Sequence, residues 1–122
     1  MTESADNGFP RSARLLTPAQ YRQVFDQVSY RASDRNLLIL ARPGATERSR
    51  IGLIIAKRHV RKAVERNRIK RQIRESFRHQ QADLPVLDMV VLARPGLNQL
   101  DNHSLRQTLD QLWQKLARKA RD

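Results

Sequence analysis

The chain has 122 residues, with 24 Lys and Arg against 12 Asp and Glu, for a formal net charge of +12. Its apolar fraction of 39% allows one small core, and its lack of cysteine excludes disulfide scaffolds, cysteine nucleophiles and thiolate metal sites. No stretch approaches the ~18 apolar residues of a membrane span, and Met1 to Phe9 lacks the apolar run of a secretory signal, so a reducing cytoplasm is the expected compartment.

A positive excess of this size predicts a polyanionic partner, nucleic acid first and an anionic membrane surface second. Residues 1–14 are polar and punctuated by Gly8 and Pro10, which predicts a loose N-terminal arm before a single domain over 15–122. Thr17-Pro18-Ala19-Gln20 reads as a helix start, with Thr17 as N-cap, Pro18 at the first helical position and Gln20 completing a capping box. Leu16 and Tyr21 stand at the staple positions. Tyr21, Val24, Phe25 and Val28 then follow at helical spacing, which predicts a short helix ending near Val28.

Residues 30–33 suit a short strand, and the apolar run 36–41 a buried one. Pro43 to Ser49 is loop-like, and residues 51–57 form another apolar strand, predicted to pair with 36–41 as a hairpin. Gly52 within it signals a bulge or a close backbone approach. A helix is predicted over 63–81, a third buried strand over 89–93, and a last helix capped at Asp101-Asn102. Leu105, Leu109, Leu112, Trp113 and Leu116 make one stripe along that last helix. The order is α-β-β-β-α-β-α, an α+β fold built as an α/β sandwich.

The charge is concentrated. Between Lys57 and Arg78 stand ten basic residues and two acidic ones, so this segment holds two thirds of the net excess. At 100° per residue, Asn67, Lys70, Arg71, Arg74 and Arg78 fall in one arc of about 100°. Ile69, Ile73 and Phe77 form the adjacent apolar stripe. A helix can therefore bury that stripe and present a cationic ridge. Arg66 falls on the apolar side and is predicted to project past the helix start toward a groove, since an unpaired buried guanidinium is costly. Arg68 lies on the opposite flank. Guanidinium groups fork onto phosphate oxygens and stack on bases, and the Asn67 amide both donates and accepts. For any single arginine here, a pair with Glu65 or Glu75 is the competing use.

Arg66-Asn67-Arg68-Ile69-Lys70-Arg71, with Arg74 one turn on, resembles the signature of the bacterial ribonuclease P protein family. Ile51 to Arg58 before it and Arg74 to Arg78 after it fit the same family, as do Phe9-Pro10-Arg11, Tyr21 with Val24-Phe25, and the Leu112-Trp113 helix. The resemblance covers nearly all of residues 9–118. Tyr21 stands where Phe is usual and Arg58 where Lys is common, and both swaps keep the chemical type.

The resemblance implies a ribosomal-protein-like sandwich of about four strands and three helices. It also implies a left-handed crossover between the strand ending at Lys57 and the one near Val91, against the usual hand. It further implies a subunit of an endonuclease that removes the 5′ leader of precursor tRNA. In that family the RNA subunit is the catalyst, with Mg²⁺ held by RNA and substrate. Arg66, Asn67, Arg68, Lys70, Arg71 and Arg74, joined by Arg61 and Lys62, would dock on the catalytic RNA. Tyr21 and Phe25 would stack on leader bases, Lys57 and Arg58 would hold leader phosphates, and Leu40 would line the floor. Helical spacing alone favours core packing for Tyr21 and Phe25, whereas the resemblance implies partial exposure.

The residues themselves point to no protein-borne catalyst. His59, His79 and His103 belong to different elements, none with a partner at metal-ligand spacing, and Asp88 reads as a lone acid. No catalytic residue, metal ligand or obligate protein partner is assigned. The rival readings are a structural, ribosomal-type RNA binder, a DNA-binding module and an anionic-membrane binder. The DNA reading lacks helix-turn-helix spacing, and the membrane reading rests on Phe77 alone.

Overall fold

Strand alternation sets the layers. The structure, a computed structural model that describes residues 9–121, has strands β1 (Tyr30–Ser33), β2 (Leu37–Pro43), β3 (Arg50–Ile54) and β4 (Leu87–Ala93). Its helices are α1 (Pro18–Asp26), α2 (Ala63–Gln80) and α3 (Asn102–Arg121). They follow the predicted order. The sheet runs β1-β2-β4-β3, with β3 and β4 parallel and the other pairs antiparallel. Leu37, Ile39, Ala41, Met89 and Val91 face the main core beneath α2 and α3. Leu38, Leu40, Val90, Leu92 and Ile54 face the other way, with Leu15, Tyr21 and Val24 at α1.

The expected hairpin between the second and third strands does not form, because β4 lies between them. Six of the seven β4 residues are buried, so this strand takes a central place with neighbours on both edges. The hairpin is instead β1–β2, closed by Asp34, whose Oδ1 accepts from the Asn36 and Leu37 amides at 2.9 Å. The third strand stops at Ile54 rather than Lys57, because the His59 and Val60 amides turn back onto the Ala56 carbonyl. Helix α1 ends at Asp26, short of Val28, which is exposed. Its capping box is formed as read from the sequence. Asp101 caps α3 by accepting from the Ser104 amide at 2.8 Å, and that bond holds the carboxyl below its ordinary range.

Residues 1–8 lie outside the described residues, so the loose-arm reading can be set against residues 9–14 alone. Phe9 and Ala13 are buried, Pro10 and Arg14 half-buried, and Arg11 and Ser12 exposed. Phe9 and Ala13 are core residues, Arg14 bridges to Ile51 in parallel, and the Leu15 amide donates to the Ile51 carbonyl at 2.9 Å. Phe9 meets Phe77 edge-on at a centroid distance of 6.1 Å, and Phe77 meets Trp113 at 5.8 Å. A single aromatic in a polar stretch has no periodicity to reveal it; here it completes an aromatic row. The Trp113 indole donates to Ser76 Oγ at 2.7 Å, which fastens α3 to α2.

Asp88 is not a lone acid. Arg50 sits opposite it across the β3–β4 pair, and its Nε and Nη2 reach the two carboxylate oxygens at 3.0 and 2.8 Å. That hydrogen bond raises the Arg50 pKa, against the opposing effect of burial. The Ala45 amide also donates to Asp88, tying down the β2–β3 loop. Asp88 is 1% exposed, so removing one partner strands a buried charge. Asp88→Asn should therefore cost about 3–5 kcal/mol, and the double change Asp88→Leu with Arg50→Met much less. Denaturant midpoints of the two variants test this, and equal losses would contradict it.

Candidate nucleic-acid interface

Helix α2 buries Ile69, Ile73 and Phe77 and turns its basic residues outward. Asn67 and Arg71 are exposed and Lys70 is half-buried; among the described residues their side chains have no hydrogen bond or ion pair. Arg61 and Lys62 are exposed in the segment that leads into the helix. Arg74 is half-buried, with its guanidinium carbon 6.0 Å from the Phe9 ring centroid. Arg14 lies over the same ring at 5.6 Å.

Three other arginines of the helix are engaged. Arg66 does not project into a groove. Its Nη1 folds back to the Val60 and Arg61 carbonyls, at 3.1 and 2.9 Å, because a half-buried guanidinium needs acceptors and the turn before the helix supplies them. Arg68 bonds Glu65 through Nε and Nη2 at 3.1 and 2.8 Å, and reaches Asn102 Oδ1 at the start of α3. Arg78 pairs with Glu75, a hydrogen bond that holds the Glu75 carboxyl below its ordinary range. The Glu75 contribution is present above the ordinary glutamate pKa and is lost as pH falls through the lowered value.

The second surface lies on the other face of the sheet. Nine-residue α1 covers only part of it, leaving Leu38, Ile54 and Leu92 partly exposed beside it. Leu40 is 9% exposed and lies under the helix with Val24 and Val90. Tyr21 is half-buried, and its ring rests on Gly52, where a Cβ would come within 2.5 Å of Cε2 and Cζ. Phe25 is 41% exposed on α1. Lys57 and Arg58 are exposed in the turn that follows β3. Tyr21 and Leu40 thus share one apolar cluster, Phe25 projects from the same helix, and the basic pair lies past the end of the strand that carries Gly52.

The family described as Ribonuclease P matches residues 9–117. The ribonuclease P protein component of Chromohalobacter salexigens is 46% identical over 117 residues, spanning 96% of this chain and 91% of the relative. That of Pasteurella multocida is 52% identical over 112 residues, spanning 92% and 93%. The chain belongs to the ribonuclease P protein family. The Thermotoga maritima ribonuclease P protein, solved with 1-(4-fluorophenyl)-2-thiourea, superposes with a TM-score of 0.74 at 26% identity, covering 84% of this chain and 98% of its own. The Staphylococcus aureus protein shares the fold at a TM-score of 0.79 and 21% identity, covering 86% and 97%. Element order and crossover accord with these structures. As a ribonuclease P protein, the chain is a subunit of the endoribonuclease of tRNA 5′ processing, which also contains an RNA subunit.

Among the described residues of this ribonuclease P protein, no three His, Cys, Asp or Glu side chains gather as a metal site, and no helix is long and apolar enough to cross a membrane. Sequence reasoning missed the Phe9 ring flanked by two guanidiniums and the Arg50–Asp88 pair. The contact between Gly52 and Tyr21 was foreshadowed by a glycine inside a strand. Gly52→Ala should push the Tyr21 ring off the sheet and lower stability by about 1–3 kcal/mol. The same change made in a Tyr21→Ala background should cost much less, and equal costs in the two backgrounds would show that the ring is not what Gly52 accommodates.

Proposed function

We propose that this subunit supplies two RNA-binding surfaces to the holoenzyme, one for the catalytic RNA and one for the 5′ leader of precursor tRNA. The observation that carries the reading is the contrast within α2. Arg66, Arg68 and Arg78 have acceptors within the protein, whereas Asn67, Lys70 and Arg71 present donors to solvent without one. A helix fixed by some of its arginines offers the remainder to phosphates at little cost in side-chain order. Arg61, Lys62 and Arg74 extend the ridge. Arg66 and Arg68 act chiefly by holding α2 to its lead-in turn and to α3, and share a donor with RNA where it approaches.

The partly covered sheet face receives the leader. Phe25 and Tyr21 offer ring faces to bases, each stack contributing about 1–3 kcal/mol. Leu40 floors the surface, and Lys57 and Arg58 neutralise leader phosphates. Hydrolysis belongs to the RNA subunit, and Mg²⁺ held by RNA and substrate activates the water. The subunit's part is to hold both RNAs in register, in the cytoplasm where tRNA is processed.

Phe25→Ala should weaken binding of precursor tRNA by the holoenzyme about tenfold while leaving mature tRNA nearly unchanged, as loss of one stacked base requires. Equal losses for both RNAs would remove the leader assignment. Arg71→Gln should weaken assembly with the catalytic RNA and flatten the log–log salt dependence by about one unit. An unchanged slope would take Arg71 out of the interface.

A further inference from the structure

A cavity of about 720 Å³ opens at the start of β3, the opposite end of that strand from Lys57 and Arg58. Four arginines are among its lining residues, Arg11, Arg14, Arg48 and Arg50, together with Ser12 and Thr46. Three separate segments meet here. The 3-10 turn at Arg11–Ala13 brings Arg11 and Ser12, the β2–β3 loop brings Thr46 and Arg48, and β3 brings Arg50.

Like charges converge here at a cost unless something negative joins them. Arg50 has its carboxylate in Asp88. Among the described residues, Arg11 and Arg48 have no ion pair, and Glu47 is the one carboxylate on the wall. Arg48 Nη1 instead donates to Ser12 Oγ at 3.2 Å, and Thr46 Oγ1 donates to the Arg48 carbonyl at 2.9 Å. The arm and the loop are thus joined with their cations already gathered. The loop is further anchored where the Ala45 amide donates to Asp88. The forked donors of Arg11 and Arg48, with the Ser12 hydroxyl, suit the oxygens of a phosphate group. The volume exceeds what a single phosphate needs and admits the attached sugar.

The pocket also continues the ridge. Gln81, directly after α2, is on its wall, and Arg74 of the ridge shares the Phe9 ring with Arg14 of the pocket. The ridge and the cavity therefore adjoin across the Phe9 ring. We propose that this pocket binds a backbone phosphate of the RNA strand that docks on α2, a third RNA contact beyond the ridge and the leader surface. The proposal rests on the RNA-binding reading above.

The test uses the full chain with the catalytic RNA across a salt series. The double variant Arg11→Gln with Arg48→Gln keeps the Arg50–Asp88 pair. It should bind about tenfold more weakly, with a log–log salt slope less steep by about one to two units. Arg11→Gln alone, at an exposed site, should show a smaller change in the same direction and covers the case in which the double variant misfolds. Wild-type affinity and slope in these variants, with Arg71→Gln still weakened, would overturn the pocket and leave the ridge standing. A wild-type chain that does not bind the catalytic RNA would overturn both. Inorganic phosphate supplies the last arm. If it raises the melting temperature of the wild type but not of the double variant, while RNA binding is the same for the two, the pocket holds a free anion and the RNA proposal fails.

Discussion

Both faces of this sheet are apolar, and the chain has too few helices to cover both equally. Helices α2 and α3 close one face over Phe77 and Trp113, the largest side chains of the main core. The other face receives nine residues of α1. Water is excluded there where Val24 and Leu15 meet Leu40 and Val90. What remains beside that contact is a shallow apolar strip with an aromatic edge, a surface that suits unpaired bases because every base has an apolar face. The leader surface proposed above is thus a consequence of incomplete coverage rather than an added element.

The opposite side obeys a different constraint. A helix this basic must find acceptors for some of its cations before it can lie flat on a core. Arg68 finds Glu65 and α3, Arg66 finds two backbone carbonyls, and Arg78 finds Glu75. The Arg66 bonds to the lead-in turn and the Arg68 bond to Asn102 hold α2 in place, and the residues left over inherit a defined direction. Charge that would be diffuse on a flexible tail becomes a pattern with spacing, which a folded RNA can match and a random polyanion cannot.

Local features were legible in the sequence. The Thr17–Gln20 box, the stripe of α3 and the ridge of α2 all depend on residues within a few positions of one another. Features that depend on register were not. Nothing local says that Arg50 will face Asp88, because their meeting requires β4 to displace the expected β2–β3 pairing. A helical wheel gave Arg66 a direction but not its acceptors, which lie in a turn the wheel does not contain. Phe9 reads from sequence as part of a loose arm, because one aromatic among polar neighbours has no period to read. The partial exposure of Tyr21 and Phe25 follows from the resemblance, whereas spacing alone argues for their burial.

The place of β4 also has a temporal consequence. Its parallel register joins Ile51 to Met89, and its antiparallel register joins Ile39 to Val91, so the centre of the sheet is assembled from chain segments separated by the whole of α2. Such contacts are slow to form because a long loop must close before any of them is gained. On a ribosome the cationic helix therefore emerges before the strand that will anchor it. During that interval α2 has charge but no core to lie on, and the chain behaves as a polycation searching for counterions. Completion of β4 gives the helix a sheet to lie on, and α3, which follows in the chain, then fastens it through Trp113 and Asn102.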